Sequence, residues 1–127
     1  MSTDVAIREL DWYLRDHLFR QSSNAGKTVF RRESLPSEMV TLYLRYRGAD
    51  MKQLSDSLNP VIDGLLARKV LEQSGNELRL LGNLTRLQCA NTKCFYINYL
   101  SEMEPRICLR CQHSELYDFP KKNKKKA

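Results

Sequence analysis

The chain has 127 residues and a mass of 14.9 kDa, which suits one ordinary domain or two very small ones and excludes a large multi-domain enzyme. Apolar residues make up 42% of the sequence, which is too many core-forming side chains for general disorder. The net charge of +6 is concentrated at one end, because five of the 21 basic residues lie in the last seven positions and leave 16 basic against 15 acidic residues before them.

The sequence also indicates a cellular setting. No apolar run approaches the ~20 residues needed to cross a bilayer, and the start of the chain lacks the basic-then-apolar layout of a secretory signal. We therefore expect an intracellular protein without a membrane partner, in the cytoplasm or nucleoid, or in the nucleus of a eukaryote.

The N-terminal segment has an amphipathic pattern over residues 3–21. A polar cluster at residues 21–26 is predicted to end this first helix. Trp12 and Phe19 lie on a neighbouring line of the helix and belong either to the core or to a dimer interface. The apolar residues that recur at helical spacing are Ile7, Leu10, Leu14 and Leu18.

A short strand and a second helix are predicted next. Residues 27–31 contain the β-forming pair Val29 and Phe30. Pro36 suits the first turn of a helix that runs toward Arg47, with Gly48 as its stop. The apolar stripe of this second helix is Leu35, Met39, Leu42, Tyr43 and Tyr46.

A third apolar stripe predicts another helix, whose start is ambiguous because of Pro60. Either Asn59 caps a new helix at Pro60, or the proline lies in the first turns of a helix that begins near Ser55. The residues of the stripe are Leu54, Leu58, Ile62, Leu65 and Leu66.

After Lys69 the apolar period changes from helical to alternating. Residues 70–73 and 77–81 are two strand-like runs around a glycine turn at residues 74–76, which predicts a β-hairpin. Residues 82–84 are predicted to join this part of the chain to the cysteine-containing part.

The order helix, strand, helix, helix, hairpin is that of a winged helix-turn-helix domain, and residues 65–81 resemble the end of the recognition helix and the wing of small winged-helix regulators. The resemblance implies that the third helix enters the DNA major groove, with the hairpin turn near the minor groove or backbone. Lys52, Arg68 and Lys69 are then candidate nucleic-acid contacts, although Arg68 and Lys69 also suit solvated positions at a helix C-terminus. A generic α+β domain with the same elements packed differently is the alternative.

Four cysteines provide the strongest signal in the sequence. Cys89 and Cys94 form a first knuckle (residues 89–94), Cys108 and Cys111 form a second knuckle (residues 108–111), and a 13-residue insert separates them. Two knuckles of this kind supply the four thiolates of a tetrahedral structural zinc site. The insert has a strand-like run at residues 95–100, and its return turn is predicted near Glu104.

Three alternatives to zinc remain open for these cysteines. They are a pair of disulfides, which an intracellular setting disfavours; an iron ion in a rubredoxin-like site; and four cysteines that coordinate nothing. His113 could replace one cysteine as a ligand, but with four thiolates available it is expected near the site or on the surface. Four protein thiolates leave no open position on a metal, so a catalytic zinc is not expected.

Residues 108–116 resemble the second knuckle of many zinc ribbons in transcription and RNA-processing proteins, where a Cys-x2-Cys pair precedes a polar turn and an outgoing strand. The sequence departs from the commonest pattern in the longer first knuckle and at Gln112, where a glycine is frequent. Tyr96 and Tyr99 of the insert could offer stacking faces to single-stranded bases, but so small a module is expected to bury at least one of them.

The C-terminal residues 120–127 are too charged to fold alone and are predicted to be a disordered basic arm. Such an arm can add non-specific nucleic-acid affinity, serve as a nuclear address or aid solubility. Its candidate phosphate contacts are Lys121, Lys122, Lys124, Lys125 and Lys126.

These patterns predict an α+β protein with a winged helix-turn-helix domain over residues 1–84, a zinc ribbon with one structural Zn²⁺ over residues 85–119, and the arm. At the level of architecture this resembles transcription factors that pair a winged helix with a zinc ribbon. No glycine-rich phosphate loop or Ser/His/Asp set is present, so no enzyme is expected. We expect a DNA-binding or transcription- or replication-associated factor. The alternative is a protein–protein adaptor of a multi-subunit complex with little intrinsic DNA reading.

Overall fold

The computed structural model describes residues 3–118, with side chains from residue 8 onward, as a mixed α+β structure, which confirms the predicted class. Its described part contains three α-helices and two small antiparallel sheets. In chain order the elements are α1 (Thr3–Ala25), β1 (Val29–Arg31), α2 (Leu35–Leu42), α3 (Met51–Ala67), β2 (Leu71–Ser74), β3 (Glu77–Leu80), β4 (Leu84–Cys89), β5 (Ile97–Ser101) and β6 (Leu116–Asp118).

The first sheet has the strand order β1-β3-β2, with both pairs antiparallel. The predicted hairpin is present as β2 and β3, which turn through Gly75 in the left-handed conformation at φ +61°. The register pairs Phe30 with Leu78, and both side chains are buried. The short strand β1 therefore extends the hairpin into a three-stranded sheet and turns its apolar residue toward the helices.

The three helices pack on the first sheet through the apolar stripes that the sequence predicts. Leu10, Leu14 and Leu18 of α1 lie in one buried cluster with Leu35 and Met39 of α2. The buried residues of α3 complete it: Leu54, Leu58, Val61, Ile62 and Leu65. Leu42 departs from the prediction, because it is mostly exposed at the end of α2.

Helix α1 continues to Ala25, beyond the predicted end near residue 21. It ends at Gly26, which adopts the left-handed conformation at φ +66° and donates its N–H to the Ser22 carbonyl at 3.1 Å. The polar residues before Gly26 therefore form the last turn of the helix. No helix within residues 3–118 is long and apolar enough to cross a membrane.

Helix α2 ends at Leu42, several residues before the predicted end near Arg47. Tyr43 is extended (φ −121°, ψ 123°), and a 3₁₀ turn follows at Leu44–Tyr46. The Tyr43 hydroxyl donates to Asp16 Oδ2 at 2.6 Å, and its ring packs edge-on against Tyr13. Contacts between Tyr43 and α1 thus accompany the end of helix α2.

Helix α3 begins at Met51, so both predicted starts, at Pro60 and near Ser55, are wrong. Asp50 caps the helix, because its carboxylate accepts the N–H groups of Lys52 at 2.9 Å and Gln53 at 3.1 Å. Pro60 lies inside the helix at an exposed position. The helix tolerates the missing N–H because the apolar stripe holds both halves against the core.

The second sheet has the order β5-β4-β6, and β4 pairs antiparallel with both neighbours. The strand predicted in the insert is β5, and the strand predicted after the second knuckle is β6. Leu84 is the first residue of β4 and is buried in the core of the first sheet and helices, so the connection between the two sheets is residues 81–83, one position earlier than the predicted 82–84. Helix α1 packs against both β4 and β5 and is shared by the two halves.

Candidate metal centre

The four cysteines predicted as ligands come together beside the second sheet. Their sulfur atoms all lie within 4.8 Å of one another, although they belong to two knuckles. Two measured pairs cross between the knuckles, with Cys89 Sγ 3.5 Å from Cys111 Sγ and Cys94 Sγ 3.8 Å from Cys108 Sγ. Cys89 and Cys108 are fully buried, whereas Cys111 is exposed.

This arrangement fits a single tetrahedral ion. Thiolates ~2.3 Å from a central zinc form a tetrahedron with edges of ~3.8 Å, which is close to the two measured separations. A disulfide requires sulfur atoms ~2.05 Å apart, and all four cysteines are free thiols. The four cysteines could therefore hold one metal ion, and a pair of disulfides does not describe this site.

In the first knuckle, Asn91 closes the unusually long turn. Its carbonyl accepts the N–H groups of Cys94 at 2.9 Å and Phe95 at 3.1 Å, and its side-chain Oδ1 accepts the Lys93 N–H at 3.0 Å. The Asn91 N–H lies 3.4 Å from Cys89 Sγ. One asparagine thus folds the four intervening residues into a compact turn that brings the two thiols together.

In the second knuckle, backbone N–H groups converge on one sulfur. The N–H groups of Arg110 and Cys111 lie 3.4 Å and 3.5 Å from Cys108 Sγ. The Cys108 carbonyl accepts the Gln112 N–H at 2.9 Å, and the Cys108 N–H donates to the His113 carbonyl at 2.9 Å. The N–H groups of Arg110 and Cys111 supply partial positive charge at the sulfur, where a thiolate would carry negative charge.

The surroundings of the thiols shift their pKa values in different directions. Burial opposes ionisation of Cys108, but the N–H groups of the second knuckle and the Asn98 side chain outweigh it and lower its pKa to about 6. Burial raises the pKa of Cys89 to about 12 and also raises the pKa of Cys94. The protein's own hydrogen bonds thus favour the thiolate form of Cys108, whereas Cys89 would lose its proton on coordination to a cation.

The residue after the last cysteine of each knuckle has a left-handed backbone. Phe95 follows Cys94 with φ +53°, and Gln112 follows Cys111 with φ +67°. This conformation favours glycine. It explains why glycine is frequent at the position of Gln112 in the ribbons that this segment resembles, and it shows that the two knuckles end with the same backbone geometry.

The two histidines lie outside the sulfur cluster. His113 is partly exposed, with its Nε2 atom 3.8 Å from Glu115 Oε1. Its backbone carbonyl accepts the Cys108 N–H of the second knuckle. His17 is buried in α1, with Nε2 2.6 Å from Glu38 Oε1. Within residues 3–118, the group of side chains that could hold a metal consists of the four cysteines.

Of the candidate nucleic-acid contacts on α3 and after it, Lys52 and Arg68 are bound to carboxylates, whereas Lys69 is exposed. Lys52 Nζ lies 3.3 Å from Asp56 Oδ2, and Arg68 donates to Glu104 at 2.8 Å. Lys69 is exposed and left-handed at φ +66°. The predicted arm lies outside the described residues, together with its candidate contacts Lys121, Lys122, Lys124, Lys125 and Lys126.

Arg15 and Glu104 join α1 to the cysteine-containing half. The Arg15 guanidinium donates to both Glu104 oxygens, at 2.7 Å and 2.8 Å, and also to the Tyr99 carbonyl at 2.6 Å. Its Nε donates to Asp11 at 3.0 Å. Burial opposes ionisation of Glu104, but hydrogen bonds and charge attraction from Arg15 and a hydrogen bond from the Ser101 N–H outweigh it, so its pKa is lowered.

Aromatic side chains make further hydrogen bonds with residues of α1 or from α1 to the second sheet. Asp16 accepts hydrogen bonds from the hydroxyls of Tyr43 and Tyr99, and Tyr99 is fully buried, as predicted for at least one tyrosine of the insert. The Trp12 indole N–H donates to the Ile97 carbonyl of β5 at 2.7 Å. Trp12 therefore packs between the two halves of the same chain and is partly buried there.

The sequence interpretation missed Arg15, Asp16 and Glu104, which hold the metal-site half in place. Arg15 and Asp16 lie on the polar side of the amphipathic pattern in α1, and Glu104 was noted only as part of a turn. No local pattern distinguishes them from solvated charges. No protein family model matches the chain, and neither curated proteins nor solved structures include a significant match.

Proposed function

We propose that the protein is a non-enzymatic, nucleic-acid-associated factor of a transcription or replication assembly, built from a winged helix-turn-helix and a zinc ribbon. The observation that carries the proposal is the antiparallel pairing of β1 with β3 beside three helices. In a winged helix the strand after the first helix joins the C-terminal hairpin in this way, which leaves the third helix and the hairpin turn as the binding elements. Here these are α3 and residues 74–76.

The ion in this proposal is zinc in a structural role. Sulfur spacing near that of a tetrahedron and four thiolate donors both favour zinc over a hard cation. Four protein ligands would complete the coordination sphere and leave no position for a water or a substrate. The zinc would fix the two knuckles, and through Arg15 and Glu104 it would fix the second sheet relative to α1.

The charges around α3 favour a second candidate, a protein–protein adaptor. Lys52 is paired with Asp56, Arg68 with Glu104, and Arg32 of the neighbouring turn with Asp63. Paired cations offer little to DNA phosphates, since phosphate affinity comes from basic groups that displace counterions. Leu42, Leu44 and Met51 are exposed near the start of α3 and would suit an apolar partner surface: their exposed fractions are 54%, 75% and 43%.

A salt titration of duplex DNA binding separates the two candidates. It compares the full chain with a variant in which the five lysines of the arm are replaced by glutamine. We expect the arm variant to bind more weakly and to reduce the magnitude of the slope of log K against log salt by up to about 4.5, because each phosphate contact contributes ~0.9. Binding that survives in the arm variant and is weakened by Lys69→Gln would support DNA contact near α3.

Two results would decide for the adaptor. One is loss of all measurable DNA affinity in the arm variant, which would show that the folded body does not contact DNA. The other is surviving affinity that Lys69→Gln and Lys93→Gln reduce equally, because Lys93 is an exposed lysine of the first knuckle and its replacement makes the same change of charge.

A further inference from the structure

A groove lies between the first half of α1 and the first knuckle. We call it the α1 groove; its volume is ≈ 500 Å³, within the range of ligand sites in proteins. Its lining combines aromatic rings with arginines, and the residues that matter below are Arg8, Trp12, Tyr13, Phe95, Tyr96 and Arg110.

Phe95 gives the groove an exposed aromatic face. Its side chain is 49% exposed, and within residues 3–118 it packs against no other aromatic ring. The knuckle holds it there, because the Phe95 N–H donates to the Asn91 carbonyl at 3.1 Å and its backbone has φ +53°. A bulky residue in this conformation is rare and marks a position that its surroundings hold firmly.

The opposite wall of the groove is rigid. The Trp12 indole is held by its hydrogen bond to the Ile97 carbonyl at 2.7 Å and by edge contacts with Tyr13 and Tyr99, at centroid distances of 5.0 Å and 5.6 Å. Trp12 is the only tryptophan of the chain. The groove therefore contains a fixed aromatic wall and a single fluorescent reporter.

The charge in the groove is positive. Arg8 and Arg110 are exposed, and neither forms an ion pair with the side chains described. Glu9, the acidic residue of the lining, is paired with Arg45 at 2.8 Å. In contrast to the cations near α3, these two arginines are held by no carboxylate of residues 8–118, and the groove presents them to an anionic ligand.

The geometry points to the α1 groove as a binding site for single-stranded nucleic acid. This inference rests on the proposed nucleic-acid function and adds a second binding surface to α3 and the hairpin turn. An unpaired base would stack on the Phe95 ring, and the adjoining phosphates would contact Arg8 and Arg110. Aromatic faces beside basic side chains are the combination that binds unpaired strands, because every base has a stacking face and every nucleotide a phosphate. An acidic peptide would use the arginines but would leave the exposed ring without a matched partner.

Quenching of Trp12 fluorescence by oligothymidylate and oligouridylate of about 15 nucleotides tests the site, because the reporter lies in the groove. The protein is the metal-loaded full chain with the five arm lysines replaced by glutamine, so that the arm adds no background. We expect saturable quenching by these strands. Phe95→Leu should lower the affinity about 10-fold, Phe95→Tyr should preserve it, and Arg110→Gln should lower it with a shallower salt dependence.

Arg106→Gln is the matched control for Arg110→Gln, because both are exposed arginines of the same half and only Arg110 lines the groove. Each variant must retain one metal ion per chain by native mass spectrometry, which shows that the knuckle beside Phe95 is intact. Comparison of the two oligonucleotides shows whether DNA or RNA is preferred.

Several outcomes would overturn the inference. Absence of quenching, equal binding by Phe95→Leu and Phe95→Tyr, or equal effects of Arg110→Gln and Arg106→Gln would each exclude the groove. Quenching by an oligoglutamate peptide with none by the oligonucleotides would assign the groove to an acidic protein partner. If duplex DNA still binds in any of these cases, the proposed function stands and only the groove fails; if neither form of nucleic acid binds, both fail.

Discussion

Arg15 of α1 and Glu104 of the loop after β5 form a buried, two-pronged ion pair, with Nη1–Oε1 at 2.7 Å and Nη2–Oε2 at 2.8 Å. Glu104 also accepts the Ser101 N–H at 3.0 Å and a hydrogen bond from Arg68 at 2.8 Å. One carboxylate thus connects α1, the end of α3 and the loop that leads to the second knuckle. The metal-site half is held against the helices by charge as well as by packing.

Removal of the Glu104 charge should destabilise the protein strongly. Glu104→Gln removes the fully buried counter-charge of Arg15 and leaves the guanidinium with the partly buried Asp11 carboxylate alone, so the cost should be about 3 kcal/mol, the lower end for a broken buried ion pair. Chemical denaturation measures the change in the free energy of unfolding. Glu102→Gln is the control, because Glu102 is exposed and accepts a single backbone N–H from Asn83 at 3.2 Å; its cost should stay below about 1 kcal/mol.

A double variant tests whether the pair acts as a unit. Arg15→Met combined with Glu104→Leu should cost less than the sum of the two single changes, because neither member of the Arg15–Glu104 pair is then left buried without the other. Additive costs would show that the two side chains stabilise the fold independently.

The contribution of Glu104 should depend on pH. Its pKa in the folded protein lies below the ordinary value of 4.5, so its stabilising effect is present above that value and is lost as the pH falls through the folded pKa. The gap in unfolding free energy between the natural chain and Glu104→Gln should therefore shrink between about pH 5 and pH 3. Acid also protonates the thiols, but this affects both chains equally and therefore cancels in the difference between their unfolding free energies. A constant gap over this range would contradict the lowered pKa.

Removal of the metal should disorder the second sheet. A chelator, or Cys89→Ser at one of the two fully buried ligands, should release one ion per chain and alter Trp12 fluorescence, since the indole is hydrogen-bonded to the Ile97 carbonyl of β5. Native mass spectrometry identifies the ion, and Co²⁺ substitution should give the absorption of a tetrahedral thiolate site. A red protein with visible absorbance as isolated would indicate iron, and unchanged fluorescence after chelation would refute a structural role.

Gln112→Gly should stabilise the metal-loaded protein by about 0.5–1 kcal/mol. Gln112 has φ +67°, a conformation that costs side chains other than glycine about 1–2 kcal/mol, part of which is lost again to the greater freedom of glycine in the unfolded chain. Thermal unfolding measures the gain. Gln112→Ala separates the backbone effect from loss of the side chain; if alanine matched glycine, the gain would not come from the backbone.

The cysteine ligands could be predicted because each pair is identified by its short spacing along the chain. Cys89 and Cys94, like Cys108 and Cys111, reach one ion through turns of a few residues, so spacing alone indicates which atoms meet. The same holds for the core-facing residues of α1 and α3, where period and burial agree. Starts and ends of helices were less predictable: Asp50 caps α3 five residues before the nearer predicted start near Ser55, and the apolar stripe continues through Tyr43 although α2 has ended.

The polar residues of α1 could not be interpreted from the sequence. Leu14, Arg15, Asp16, His17 and Leu18 are consecutive and all buried. Five consecutive positions cover the whole circumference of a helix with 3.6 residues per turn, so α1 is enclosed on every side at this point. A charged stripe on an amphipathic helix ordinarily faces water, and only the packing of the second sheet and of the α2 segment on that stripe makes it part of the interior.

By itself the sequence determined the class of fold, the four thiols of the metal site and the apolar faces of the helices, because each follows from spacing along a short stretch of chain. Only the tertiary structure decided that Arg15 pairs with Glu104, that Trp12 packs between the two halves, and that Arg68 is bound to a carboxylate. These contacts join residues more than thirty positions apart. Whether a charge is solvated or buried depends on what packs over it, and no local pattern of residues carries that information.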